Sequence, residues 1–334
     1  MRPSPSPLAH PAGVAPSRGA SFPGGAFARG RAPFARLAAT LQKDPYFGYL
    51  LVLPLVLWTV LTIVYPLLDA VRLSLLNVGY VGSAGRFVGA ANYVKILASA
   101  EFWHTTEVTV FWTVLNTVLQ VLGGLIAALV LNQDFWGHEF VRTWIILPWL
   151  IPSIVLATMA KWMLDPTLGV VNYLLAKAGV IHAPVSFLGT PVLAFLTATL
   201  VNAWHWFPLF ALMILAALQT IPKEVTEAAE VDGANYWGRL WWVELPSIAQ
   251  VLYVIIFIAS LWAANIFDVI WLLTRGGPVN ATNTFPILIY YKGFQEFRIS
   301  AAAAISVPLF AGLLLYGVWY MRRFMREGIE EAAP

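Results

Sequence analysis

The chain has no cysteine in its 334 residues, which excludes disulfides and thiolate metal sites. It is also poor in charge. Asp, Glu, Lys and Arg make up 11% of it against 59% hydrophobic residues, where a soluble domain carries about 25% charge. So little polar surface cannot cover a folded chain in water, and a bilayer must be its solvent. The five histidines, His10, His104, His138, His182 and His205, are scattered without metal-ligand spacing. No lysine sits in a Gly-x4-Gly-Lys phosphate loop, so the chain does not itself consume ATP. The net charge of +3 is explained by basic residues beside membrane segments and gives no argument for nucleic acid.

What the chain does have is long apolar runs. Six of them, at 49–76, 108–131, 143–163, 191–218, 248–273 and 301–321, approach the ~20 residues a helix needs to cross ~30 Å of hydrocarbon. The 15 Trp and 12 Tyr suit aromatic belts at the two membrane faces. The expected fold is an all-α membrane protein with six transmembrane helices in residues 45–326. Residues 1–44, rich in Pro, Ala, Gly and Ser, read as a disordered basic tail, and residues 327–334 as a short C-terminal tail. Arg31, Arg36 and Lys43 before the first span, and Arg322, Arg323 and Arg326 after the last, place both termini on the cytoplasmic side.

One polar stretch interrupts the apolar half, between the fourth and fifth spans. Residues 221–246 hold Glu224, Glu227, Glu230, Asp232, Glu244, Lys223 and Arg239. Hydrocarbon cannot accommodate that many polar groups, so this is an aqueous loop. Pro222 suits a first helical turn, acids crowd the positive end of the helix dipole, and Gly233 breaks the helix. A second short helix from about Asn235 carries Trp237, Leu240 and Trp241 at helical spacing, positioned to anchor it, and Pro246 ends it. An ordinary amphipathic interfacial loop with Trp at headgroup level has similar features.

Glu227-Ala228-Ala229, Gly233, Val243 and Leu245-Pro246 resemble the EAA loop of bacterial ATP-binding-cassette importer permeases, with Val243 where that family has Ile. Leu53-Pro54, Tyr65-Pro66, Asn92-Tyr93, Leu147-Pro148-Trp149, Asp165-Pro166 and Gly276-Gly277-Pro278 are similar to the sugar-type branch, while Arg298-Ile299-Ser300 departs from it. The resemblance implies a permease subunit, not an enzyme, that carries a carbohydrate across the bacterial cytoplasmic membrane. It implies a second, homologous permease, two ATPase subunits that use ATP and Mg, and a solute-binding protein outside. No cofactor is expected on this chain. Glu224, Glu227, Ala228, Ala229, Asp232, Gly233, Arg239, Leu245 and Pro246 are implied to couple the spans to the ATPases. Glycerol phosphate is the alternative cargo.

Polar groups inside the spans are Asn116, Gln120, Asn202, His205, Asn265 and Asp268. With Trp204 they are candidates for the solute path, since aromatic faces and amides suit a sugar. The same groups serve equally well as hydrogen bonds between helices. A secondary carrier would show intramembrane charge relays or inverted repeats. The chain has one candidate acid, Asp268, and no visible repeat.

Overall fold

A computed structural model describes residues 45–78 and 85–325. The tails expected at 1–44 and 327–334 lie outside the described residues. Contacts divide the chain into two units, one ending at Pro66 and the other beginning at Leu67.

Helix α1 (Pro45–Thr59) runs into a π-helical turn, Val60–Val64, and then into α2 (Tyr65–Ser74), within which the first unit ends. Every described side chain up to Pro66 is exposed. The Thr59 and Thr62 hydroxyls donate to the Leu55 and Trp58 carbonyls at 2.9 and 2.7 Å. These bonds satisfy both threonine hydroxyls on an apolar rod, as hydrocarbon requires. A helix that is apolar on all sides belongs in lipid or against other helices.

In the second unit, β1 (Leu76–Asn77) pairs antiparallel with β2 (Arg86–Phe87). Next come α3 (Ala91–Leu97), α4 (Ala100–Leu131), α5 (His138–Trp144), α6 (Leu147–Leu150), α7 (Ser153–Met163), α8 (Val170–Lys177) and α9 (Pro191–Leu218). After them stand α10 (Lys223–Val231), α11 (Tyr236–Arg239), a π turn (Leu240–Glu244), α12 (Leu245–Ser247), α13 (Ala249–Asn265) and α14 (Asp268–Leu273). The chain closes with α15 (Phe285–Tyr290), a π turn (Tyr291–Gln295), α16 (Ile299–Tyr320) and a last π turn (Met321–Met325).

Among the described residues, four helical stretches are continuous and apolar enough to cross a membrane: Leu51–Ser74, Ala100–Leu131, Pro191–Leu218 and Ile299–Phe324. Two more qualify only as bent pairs, so the count is four to six. His138–Leu150 meets Ser153–Met163 at 94°, and Tyr236–Ser247 meets Ala249–Asn265 at 73°. The spans expected at 143–163 and 248–273 are therefore broken rather than straight. Pro152 explains the first break. It has no N–H to donate, and it forces Ile151 into extended backbone at φ −73°, ψ 125°. The second expected span breaks near its far end, where Ile266 is extended and a new helix begins at Asp268.

The core lies between α4, α9 and α13, around Ala128, Leu131, Phe210, Ile214, Leu215, Leu218, Ile255 and Ala259. Lipid is as apolar as leucine, so close packing and hydrogen bonds must hold such helices together. Gly124 permits that packing. A Cβ there would stand 3.0 Å from the Ala211 nitrogen and 3.1 Å from the Phe210 Cβ. A second cluster joins α4, α7, α9, α14 and α15 through Trp112, Leu156, Ala157, Ala198, Val269, Ile270 and Ile287.

Candidate functional site

The 221–247 loop folds as two short helices with a turn between them. Pro222 precedes α10, and Glu224 lies in its first turn, where an acid complements the helix dipole. Glu224, Glu227, Ala228 and Asp232 are exposed, and Ala229 is half-buried. Gly233 turns the chain at φ +84°, with nothing within 4 Å of where its Cβ would be. Glycine adopts that left-handed backbone without strain. Asn235 then starts α11, its Oδ1 accepting from the Gly238 N–H at 2.8 Å.

Of the three residues expected to anchor the second helix, only Leu240 is buried, at 4% exposure. Trp237 and Trp241 are 64% and 61% exposed, so neither ring is buried in this chain. Pro246 does not end the helix either. It lies in the first turn of α12, and the bend falls after Ser247, at Ile248. Leu245 is half-buried and Pro246 exposed.

An ion cluster crosses the loop. Arg239 donates from Nε to Glu244 Oε1 at 2.9 Å and from Nη1 to Glu230 Oε1. The Glu244 side chain is 9% exposed and that of Arg239 20%. Sequence reasoning gave Glu244 no role. The available signal was a carboxylate inside the apolar run Leu240–Glu244, with a base five positions before it.

The span candidates separate into two sets. Asn116, Gln120, Asn202 and His205 are buried. Asn202 Nδ2 donates to Asn116 Oδ1 at 2.7 Å, and Asn116 Nδ2 donates to the Trp112 carbonyl at 3.0 Å. The Trp112 ring N–H reaches the Ala263 carbonyl at 3.1 Å. This relay joins α9, α4 and α13. His205 Nε2 donates to the Ile151 carbonyl at 3.0 Å, capping a group freed by the break before α7. In the second set, Asn265 and Trp204 are exposed and Asp268 is half-buried. Trp262, not singled out from sequence, is 45% exposed and packs on Trp206 with ring centroids 5.0 Å apart.

In the π turn after α15, Lys292 bonds Glu101 of α4 and Glu296 at 2.9 Å each, and Arg298 bonds Glu296 at 3.3 Å. Burial works against the Lys292 charge, but the hydrogen bonds to Glu296 and Glu101 outweigh it and hold the ammonium above its ordinary value of 10.5. Burial likewise works against the Glu296 charge. Lys292 and then Arg298 overcome it, keeping the carboxyl below 4.5. Asp165, in the loop after α7, is also held low, by the Leu168 N–H and then by the Thr167 hydroxyl and N–H. Among the described residues no cluster of His, Asp or Glu could hold a metal ion.

Several known proteins resemble this chain. The chain is 33% identical to the trehalose/maltose transport system permease protein MalF of Thermococcus litoralis over 289 residues, 85% of this chain and 96% of that protein. It is 30% identical to the diacetylchitobiose uptake system permease protein DasB of Streptomyces coelicolor over 301 residues, 89% of this chain and 92% of that protein. A crystal structure of a bacterial ABC transporter involved in the import of the acidic polysaccharide alginate has a chain of the same fold. The TM-score is 0.76 at 23% identity, covering 87% of this chain and 99% of that one. Residues 120–320, which carry the loop and both bends, match the family described as binding-protein-dependent transport system inner membrane component. The chain belongs to that family: it is an inner-membrane permease component of a binding-protein-dependent ABC transport system.

Proposed function

We propose that this chain forms half of a carbohydrate path through the cytoplasmic membrane, driven by separate ATPase subunits. Proteins of its family are transport permeases, so the chain moves a solute and does not transform it. Relatives named for trehalose/maltose and for diacetylchitobiose support a sugar as the cargo. Counting each bent pair once gives six spans, with both chain ends cytoplasmic and the 221–247 loop leading into the fifth. A second, homologous permease completes the path, and a binding protein delivers the solute from outside. Two ATPase subunits grip the loop, and the ATP and Mg belong to them.

The observation that carries this reading is the placement of α10. It holds Glu224 and Glu227 exposed beside the small Ala228, at the foot of a helix that bends 73° into α13. Carboxylates there can pair with basic groups in a partner cleft, and alanine lets that partner approach. Closure of the ATPases pushes this lever and rocks the spans. Asn265 and Trp262, with Trp204 and Asp268, are the residues of this chain that a solute can reach. Asn116, Gln120, Asn202 and His205 set helix positions.

The test is co-purification. Glu227→Lys should reduce recovery of the ATPase subunits at least tenfold while the chain still inserts into membranes. Recovery at the native level would sink the coupling role. With the binding protein present, a panel of disaccharides should stimulate the native complex's ATPase, and glycerol phosphate should not. The reverse pattern would replace the cargo but keep the mechanism.

A further inference from the structure

A coupling loop must carry force as well as make contact. The geometry points to Glu230, Arg239 and Glu244 as the joint that carries it, with Arg239 as a positioning residue. This rests on the coupling role proposed above. At Gly233 the backbone is left-handed, and the Gly233 and Ala234 N–H groups close the turn on the Glu230 and Ala229 carbonyls at 3.0 and 2.9 Å. Those bonds end α10 but do not reach α11 or the π turn. Three side chains from three successive elements make that link. One nitrogen of the Arg239 guanidinium holds exposed Glu230 on α10. Another holds buried Glu244 at the end of the π turn, four residues before the bend at Ile248.

The π turn makes this arrangement possible. Residues five apart in an α-helix are rotated about 140° from one another. Here the Leu245 N–H bonds the Leu240 carbonyl, an i to i+5 step. The wider turn swings Glu244 back toward the side that Arg239 occupies. Arg239 is the hydrogen-bond partner of the Glu244 carboxylate, and a buried carboxylate that loses its partner is strongly disfavoured. Arg239 is thereby held in place, and its planar fork fixes direction as well as distance. A push on α10 reaches α13 through this fork. The resemblance groups Arg239 with residues that meet the ATPase, but its charged end is spent inside the chain.

The absence of cysteine makes the test direct. Spin labels at Val225→Cys on α10 and Val251→Cys on α13 report the joint in the full complex with the second permease and both ATPases, in nanodiscs. The native protein should give one narrow distance distribution. Arg239→Met should at least double its width, and Arg239→Lys should widen it less. Glu230→Gln changes an exposed side chain and leaves folding intact, and it too should widen the distribution. In the same complexes, an Asn265→Cys thiol should react with an impermeant maleimide at a nucleotide-dependent rate. Arg239→Met should cut that dependence at least fivefold while ATPase recovery stays within twofold of native. Native widths in both Arg239→Met and Glu230→Gln would overturn the joint. So would an Arg239→Met variant that loses the ATPases with its width unchanged, since Arg239 would then be a contact residue. Glu227→Lys separates the two ideas: if it leaves ATPase recovery unchanged, the loop itself is not the coupling element, whatever the labels report.

Discussion

Two polar stretches flank α13 and α14, and they are held in opposite ways. Residues 274–298 are tied into the helices by their backbone. Thr282, Asn283, Thr284 and Phe285 are buried, and the Phe285 N–H donates to Thr109 Oγ1 on α4 at 3.0 Å. The Thr282 hydroxyl reaches the Gly277 carbonyl at 3.0 Å, and Tyr291 donates to the Arg275 carbonyl at 2.9 Å. Arg275, Val279, Asn280 and Phe297 all have positive φ there. Non-glycine residues keep that conformation only where their surroundings over-determine it. Residues 221–247 are held differently: their backbone closes on itself, as where the Ala234 N–H meets the Ala229 carbonyl at 2.9 Å. Their acids are largely exposed, and one ion cluster of side chains joins α10 to α11 and the π turn. The first stretch is part of the frame. The second is joined to its neighbours by side-chain ion pairs.

Three measurements would break or sharpen that contrast. The largest effect is expected from Thr109→Val. It strips the Phe285 N–H of its acceptor in a buried place, at a cost of about 1–3 kcal/mol. Amide exchange should rise across 282–288 and stay unchanged in α10. If α10 responds equally, the two stretches are not independent. Next comes Gly233. Valine forced into φ +84° should cost about 1–2 kcal/mol through backbone strain alone, because no neighbour obstructs its Cβ. Asparagine tolerates this region and should leave melting unchanged. If both variants melt as the native protein does, the turn is not a fixed element.

The smallest effect concerns pH. Glu296 is held below its ordinary 4.5, so its stabilising share is present above that pH and is lost as pH falls through the lower folded value. Lys292 is held above 10.5, so its share is complete below that pH and fades only as pH rises past it. The melting difference between native protein and Glu296→Gln should therefore be flat from about pH 5.5 to 9.5 and shrink below pH 4.5. A dependence near neutrality would mean that another group titrates in this cluster.

Much of this was legible in the chain. Span 191–218 coincides with α9, and the turn at Gly233 falls where the sequence put it. What stayed hidden were directions. Hydropathy sums apolar residues without regard to where a helix points, so the breaks at Pro152 and Ile266 read as continuous spans. Asn116 and Asn202 are 86 positions apart, and nothing local shows that they face each other. Glu244 reads as one more acid of a wet loop until the π turn brings it beside Arg239. The tryptophans misled for a related reason: helical spacing marks one face of a helix but does not say whether that face meets this chain or something outside it.

At Gly124 the main chains of two long helices come almost into touch. Even a Cβ at 124 would stand 3.0 Å from the Ala211 nitrogen, so any side chain there would push the pair apart. The missing methyl lets these two helices run side by side, and the chain changes direction elsewhere, at the breaks near Ile151, Ile248 and Ile266.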